Sequence, residues 1–193
     1  YYNPHSIASD GEFFLVDDSK NDRIKVFRKS GGTFVESKTI GSIGHQPNKI
    51  LYNESDKRFY GISASSQEVF ILKNTGDDVI IENIIKVPLL ENAYTRSISI
   101  IDGQMYFVSG PGKILVADFF DLSFRIVREY YVPFELQGMN DIVRIGSYYY
   151  LSVYQNGAGD IAPKLVRVKD LGDLNNNHYE DVYSQLKLKG VPY

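Results

Sequence analysis

A chain of 193 residues with 21 Lys and Arg against 24 Asp and Glu carries a net charge of −3, which excludes a general polyanion binder with its strong basic surplus. Hydrophobic residues at 43% and aromatic ones at 13% can build a core, which excludes global disorder. There is no Cys, which excludes disulfides, thiolate metal sites and cysteine nucleophiles, and no apolar run approaches the ~20 residues that span a bilayer. Nothing at the N-terminus reads as a signal peptide. The compartment stays open, with a secreted or periplasmic setting as the first expectation.

In chain order, the apolar pattern predicts short strands separated by turns. The first group is His5–Ser9, Glu12–Asp17, Arg23–Arg28 and Thr33–Thr39, and the second is Lys49–Tyr52, Arg58–Ser63, Glu68–Lys73 and Asp78–Ile85. A third group is Ser97–Ile101, Gln104–Ser109, Lys113–Asp118 and Phe124–Tyr131. A fourth begins with Asp141–Ile145, Ser147–Val153 and Lys164–Val168 and then departs from the pattern. Ile24/Val26, Val69/Ile71 and Phe124/Ile126 alternate with mostly polar neighbours, the period of a half-buried strand. The second strands are apolar nearly throughout, as strands covered on both faces are.

After Lys164–Val168 the pattern predicts a short helix capped by Asn176–Asn177. Tyr179, Val182, Tyr183 and Leu186 then share its apolar face, with Glu180 and Asp181 as first-turn acids. Residues 185–189 compete with the end of that helix for an outer strand.

Four aromatic-rich runs, starting at Glu12, Arg58, Gln104 and Ser147, are spaced by 46, 46 and 43 residues. Gly11, Gly103 and Gly146 precede three of them, as tight hairpins require. Four-stranded antiparallel units recurring every ~40 to 50 residues are β-propeller blades. The expected fold class is all-β, a β-propeller with four consecutive four-stranded antiparallel blades at 4–43, 47–90, 94–135 and 138–190. A β-sandwich of similar strand count is the alternative. Pro192 lies 188 residues after Pro4, four periods of 47, so 191–193 read as the start of a further blade. The chain is therefore expected to be part of a longer ring, with a compact four-bladed ring as the other arrangement.

The first unit resembles an NHL repeat. Pro4-His5-Ser6-Ile7-Ala8, Asp10-Gly11, Leu15-Val16-Asp17 and Asn21-Asp22-Arg23-Ile24-Lys25-Val26-Phe27 follow that family's P-x-x-I-A, D-G, V-A-D and N-x-R-I-x-V-F. The resemblance implies a six-bladed propeller, in a group shared with gluconolactonase-type metal hydrolases and the peptidyl-hydroxyglycine lyase. It also implies a zinc ligand at His5. The corresponding positions are Asn48, Ser97 and Asn140, so the lyase's three-His site is not reproduced within the chain, and Asp18 stands where the lyase has Arg.

Repeat phase places His5, Asn48, Ser97 and Asn140, with Arg96 and Asp141 beside them, around an axial channel as candidate ligand-binding residues. Either the ring is polar because the channel holds water, or it binds a ligand or metal. In the second case His5, Asn48 and Asn140 would hold Ca²⁺ or Zn²⁺. Asp173-x-Asn175-x-Asn177 begins like a calcium loop but has His178 where Gly is needed, so Asx-turns and a cap explain it better. Lys20, Arg23, Lys25, Arg28 and Lys29 are interleaved with Asp17, Asp18 and Asp22 and read as a solvated strand edge, so nucleic acid is not an expected partner. His45 and His178 read as loop residues. The leading functional expectation is a non-enzymatic module or scaffold that binds a protein, peptide or glycan. The alternative is a metal-dependent hydrolase or lyase with its site in the channel.

Overall fold

The computed structural model describes residues 3–87, 94–110, 112–154, 162–183, 185 and 186. Among them the chain is all-β, with four antiparallel four-stranded sheets taken up in sequence order. Blade 1 is β1 (Ile7–Ser9), β2 (Phe13–Asp18), β3 (Arg23–Ser30) and β4 (Thr33–Ile40). Blade 2 is β5 (Pro47–Asn53), β6 (Arg58–Ser63), β7 (Glu68–Asn74) and β8 (Val79–Lys86). Blade 3 is β9 (Tyr94–Ile101), β10 (Gln104–Gly110), β11 (Lys113–Phe120) and β12 (Ser123–Tyr131). Blade 4 is β13 (Met139–Ile145), β14 (Tyr148–Val153), β15 (Lys164–Val168) and β16 (Glu180–Asp181). No helix among the described residues is long and apolar enough to cross a membrane.

Blades 1 and 2 form one compact unit, and blades 3 and 4 a second. In the first, Phe13, Leu15, Ile24 and Val26 of blade 1 interdigitate with Ile50, Phe59, Phe70 and Leu72 of blade 2. Gly61 makes this packing possible: it pairs with Phe70 across the ladder, and a Cβ on it would stand 2.0 Å from the Phe70 ring. In the second unit, Tyr106, Val108, Ile114 and Val116 of blade 3 pack on Ile142, Leu151, Val153 and Val166 of blade 4. A blade sheet has two faces to bury, and within each unit the neighbouring blade covers one of them.

The sequence expectation fails at the end of blade 4. Leu171–Asn176 forms a 3-10 turn, capped by the Asp170 carboxylate accepting from Gly172 N–H at 2.8 Å. Asn177 ends this turn in a left-handed conformation instead of starting a helix. Glu180 and Asp181 then pair with Arg167 and Val166 as the fourth strand, so they are not first-turn acids. The physical reason is the open edge of β15, whose backbone groups need partners more than Tyr179, Val182, Tyr183 and Leu186 need a shared helix face. Leu171 and Leu174 are buried in the core, and Val182 is buried as well. Gln185 and Leu186 lie in a turn instead of the expected outer strand, and residues 187–189 of that strand and the start of a fifth unit lie outside the described residues.

A second correction concerns phase. The Asp18–Arg23 pair closes the 19–22 turn of blade 1, and the Ser63–Glu68 pair closes the 64–67 turn of blade 2. Asp18 thus corresponds to Ser63 and Phe14 to Phe59, whereas the aromatic runs had aligned Phe13 with Phe59. A slip of one residue exchanges the two faces of a strand.

Candidate functional site

Because the strands alternate in direction, the starts of β1, β3 and β5 share an edge with the ends of β2 and β4. This edge gathers the 19–22 turn, the 41–46 connector and the 64–67 turn. The connector is fixed in place by its backbone. Gly44 has φ +87, and a Cβ on it would lie 2.3 Å from both Glu68 Oε2 and Ser66 Oγ, so only glycine fits. His45 N–H donates to Ser66 Oγ at 2.9 Å, Ala64 N–H to the Gln46 carbonyl at 2.8 Å, and Ser63 Oγ to the Ile43 carbonyl.

Asp22, itself left-handed at φ 52, ties this connector to blade 1. Its carboxylate accepts from Gln46 N–H at 2.8 Å and meets His45 Nδ1 at 2.8 Å. The Gln46 N–H first, and His45 second, hold the Asp22 carboxyl below the usual carboxylate range. An ionised Asp22 accepts only, so His45 Nδ1 is the donor, and of the two neutral tautomers this pairing selects the one that has Nε2 as acceptor. His45 is 75% exposed, and with Lys20, Asp22, Gln46 and Ser65 it lines an open polar depression of about 380 Å³. Ser65 Oγ donates to Gln46 Oε1 at 2.6 Å. Asp22 and His45 stand 23 residues apart, and only the abutment of a blade 1 turn on the connector joins them. In the sequence, Asn21-Asp22 between two apolar strands marks a turn, but nothing in it points to His45.

Two further acids are buried beside it. The Asp17 carboxylate accepts the backbone N–H of His5 (2.9 Å) and Ser6 (2.5 Å) and thereby fixes the start of β1. Burial pushes the Asp17 carboxyl up to about 6, against the pull of these N–H bonds and with a smaller push from Asp18. Asp18 is buried and takes Arg23 Nε at 2.7 Å and the Asn21 amide at 2.9 Å. Lys25 pairs with Glu36 at 2.5 Å and Arg28 with Glu12, so these three basic side chains of blade 1 are each matched by an acid.

Of the six residues expected around a channel, His5 and Asn48 belong to the first unit, and Arg96, Ser97, Asn140 and Asp141 to the second. His5 is exposed and Asn48 buried. In the second unit the buried Ser97 hydroxyl donates to Asp141 Oδ1 at 2.6 Å, and Ile142 N–H donates to the same oxygen at 2.9 Å. The Arg96 guanidinium lies 5.2 Å from the Tyr154 ring centroid, and Asn140 is half-buried. Ser152 faces Asp141 across the ladder with its buried hydroxyl unpartnered among the described residues. A second polar depression, about 400 Å³, lies on blade 4, where Arg167 and Lys169 sit 5.1 and 5.4 Å from the Tyr148 ring and His178 lines the wall. Among the described residues no three His, Asp or Glu side chains converge as a metal site.

No protein-family model matches the sequence, and no curated protein matches it either. Solved structures do match in fold. A protein from Lactobacillus plantarum superposes with a TM-score of 0.70 at 14% identity, over 93% of this chain and 54% of its own. A provisionally named 6-phosphogluconolactonase from Bacteroides uniformis gives 0.69 at 12% identity, over 83% and 51%. The periplasmic gluconolactonase of Pseudomonas aeruginosa gives 0.63 at 14% identity, over 88% and 51%. The fold is a β-propeller. The chain spans about half the length of these three structures.

Proposed function

We propose that this chain is a propeller-type binding module whose ligand is polyhydroxylated and of sugar size, such as the end of a glycan. The observation that carries this reading is the Asp22–His45 pair, held over an open polar depression by a connector that Gly44 and its backbone bonds lock in place. Rigid, convergent donors and acceptors are what orient a small polar ligand without a large ordering cost. The depression offers the His45 ring, the Gln46 amide, the Ser65 hydroxyl, the Lys20 ammonium and the Asp22 carboxylate, a set that suits alternating hydroxyls.

A second reading makes the same depression a lactone-hydrolysing site. Asp22 fixes the His45 tautomer so that Nε2 is the basic nitrogen, which is how a carboxylate readies an imidazole to take a proton from water. Two similar structures carry lactonase names, which supports the reading by analogy of fold alone. A metal-dependent version would rest on His5, Asn48 and Asn140 with Ca²⁺ or Zn²⁺. The six-bladed, NHL-type ring belongs to this proposal as the resemblance of the first unit implies it. No step is routed through a metal, because the described His, Asp and Glu side chains do not converge.

Gluconate and glucono-1,5-lactone are the probes. In ¹⁵N NMR titrations gluconate is expected to shift the signals of residues 20–22, 45–46 and 65, with His45→Ala weakening the response about tenfold or more. Shifts elsewhere, or none up to tens of millimolar, sink the binding reading. Lactone loss above the uncatalysed rate that vanishes in His45→Ala establishes the second reading over the first.

A further inference from the structure

Blades 1 and 2 obey one register, and it exposes an unmatched face. With Asp18 corresponding to Ser63, Phe27 corresponds to Leu72 and Phe34 to Val79, in addition to Phe14 and Phe59. The bulge between Val26 and Phe27 recurs at the same place, between Ile71 and Leu72. Through the pairs Ile7–Val16 and Ile50–Gly61, Ile7 corresponds to Ile50.

In blade 2 these four positions are closed. Ile50 is 2% exposed and Phe59, Leu72 and Val79 are 0% exposed, all within the core shared with blade 1. In blade 1 the same four positions, with Val16, line an open apolar hollow of about 360 Å³. Ile7 is 65% and Phe34 58% exposed, and the Phe14 and Phe34 rings meet edge-on at 4.8 Å between centroids. Blade 1 already buries its opposite face, Phe13, Leu15, Ile24 and Val26, against blade 2. The open face therefore repeats the surface with which blade 2 receives a blade. Lys25 replaces the buried Phe70, and its ammonium is drawn to Glu36 (2.5 Å) and Thr39 (2.8 Å). Its methylene stem remains for packing, as long basic side chains allow.

We infer that the Ile7, Phe14, Phe27 and Phe34 face of blade 1 is the seat of a further blade of the same repeat. The covering residues are of the kind Phe13, Leu15, Ile24 and Val26 present to blade 2. Structures of similar fold run to about twice the length that this chain spans, which leaves room for further blades.

The absence of Cys makes single-cysteine variants clean probes. Thiol labelling of Phe34→Cys is compared with Ser55→Cys, in an exposed turn of blade 2, over a range of concentrations. It is then repeated in an extended chain with a copy of residues 4–46 fused ahead of Pro4. That join reproduces the native connector, because Pro4-His5 takes the place of Pro47-Asn48. The expected result is equal labelling of the two sites in the 193-residue chain. In the extended chain Phe34→Cys is expected to label at least about tenfold more slowly. An unchanged rate there overturns the inference, as does an added blade that protease removes while the parent chain survives. Protection that rises with concentration in the 193-residue chain, in step with a dimer in sedimentation, assigns the face to a second copy and overturns it too. Phe34→Glu should lower the melting temperature of the extended chain alone, and an equal drop in both chains also overturns it.

Discussion

The Ser6 hydroxyl donates to the Ile50 carbonyl at 3.1 Å and accepts from the Ile50 N–H at 3.0 Å, fastening the residue ahead of β1 in blade 1 to β5 of blade 2. Ser99 makes a related contact in the second unit, where its hydroxyl donates to the Ile142 carbonyl at 2.7 Å. In both units a serine in or just before the first strand of one blade reaches the backbone of the next, some 43 or 44 residues on. A hydroxyl suits the task because it donates and accepts at once.

Ser6→Ala removes both bonds and leaves two backbone groups of Ile50 without that partner. The expected loss is about 1–2 kcal/mol, read as a lower urea midpoint at an unchanged slope. Ser6→Thr keeps the hydroxyl and should recover part of the loss. An alanine variant as stable as the parent would show that water replaces the serine at no cost.

Phe14 and Phe59 occupy one register position, yet one lines an open hollow and the other is fully buried. Phe59→Ala leaves a cavity in the core between blades 1 and 2 and should cost about 3–5 kcal/mol. Phe14→Ala removes the edge-on contact with Phe34 from a half-buried position on an open hollow, so about 1 kcal/mol or less is expected. Chemical denaturation of the two variants measures the contrast directly, and comparable losses would mean that the blade 1 face is covered in the chain as it stands.

Asp17 gives the protein a pH dependence of unusual sign. Its carboxyl sits near 3.8 when unfolded and is raised to about 6 by burial when folded. Between those values the folded state holds more protons, so this group's contribution to stability falls as pH rises from about 4 to about 6. Asp22, Asp78, Glu82 and Glu129 act in the opposite direction, because hydrogen bonds hold their carboxyls low and acid removes that contribution. The comparison with Asp17→Asn separates the two. Relative to this variant, the parent should lose stability from pH 4 to pH 6 and then level off. A difference that is flat with pH, or rises, contradicts a buried carboxyl that titrates high.

Most of the strand order was legible in the sequence because Phe, Ile and Val recur at period two between Gly, Asn and Asp turns. The blade repeat followed from that spacing. Two features were not legible, each for a physical reason. Phe13 and Phe14 match an aromatic run equally well, and only the hydrogen-bond ladder decides which of them stands where Phe59 does. Tyr179, Val182, Tyr183 and Leu186 satisfy a helical spacing, but the unpaired edge of β15 captures Glu180 and Asp181 first. The site was harder still. His45 was read as a loop residue, which it is, but its pairing with Asp22 depends on how a turn of one blade meets the connector into the next. No spacing along the chain encodes that contact.

Arg58 and Glu82 test how far such contacts stabilise a blade. Arg58 Nε lies 2.5 Å from Glu82 Oε2, both side chains are largely covered, and Lys73 approaches the same carboxylate at 3.5 Å. The Arg58 hydrogen bond holds the Glu82 carboxyl below its ordinary value, so the pair stabilises the fold above the unfolded carboxyl's pKa and loses that effect as the pH falls through the lower folded one. Removing one partner of a covered pair leaves the other poorly solvated. Glu82→Gln keeps the size and a hydrogen bond to Arg58, and should cost about 1–2 kcal/mol at pH 7. Arg58→Met leaves Glu82 only the more distant Lys73 and should cost more, about 2–3 kcal/mol. Once acid has protonated the carboxyl, Glu82→Gln and the parent should converge, because a neutral acid and an amide bind the guanidinium alike. Thermal melts from pH 7 down through the acid range measure both points, and a Glu82→Gln deficit that persists undiminished as the pH falls would place its origin in packing instead of charge.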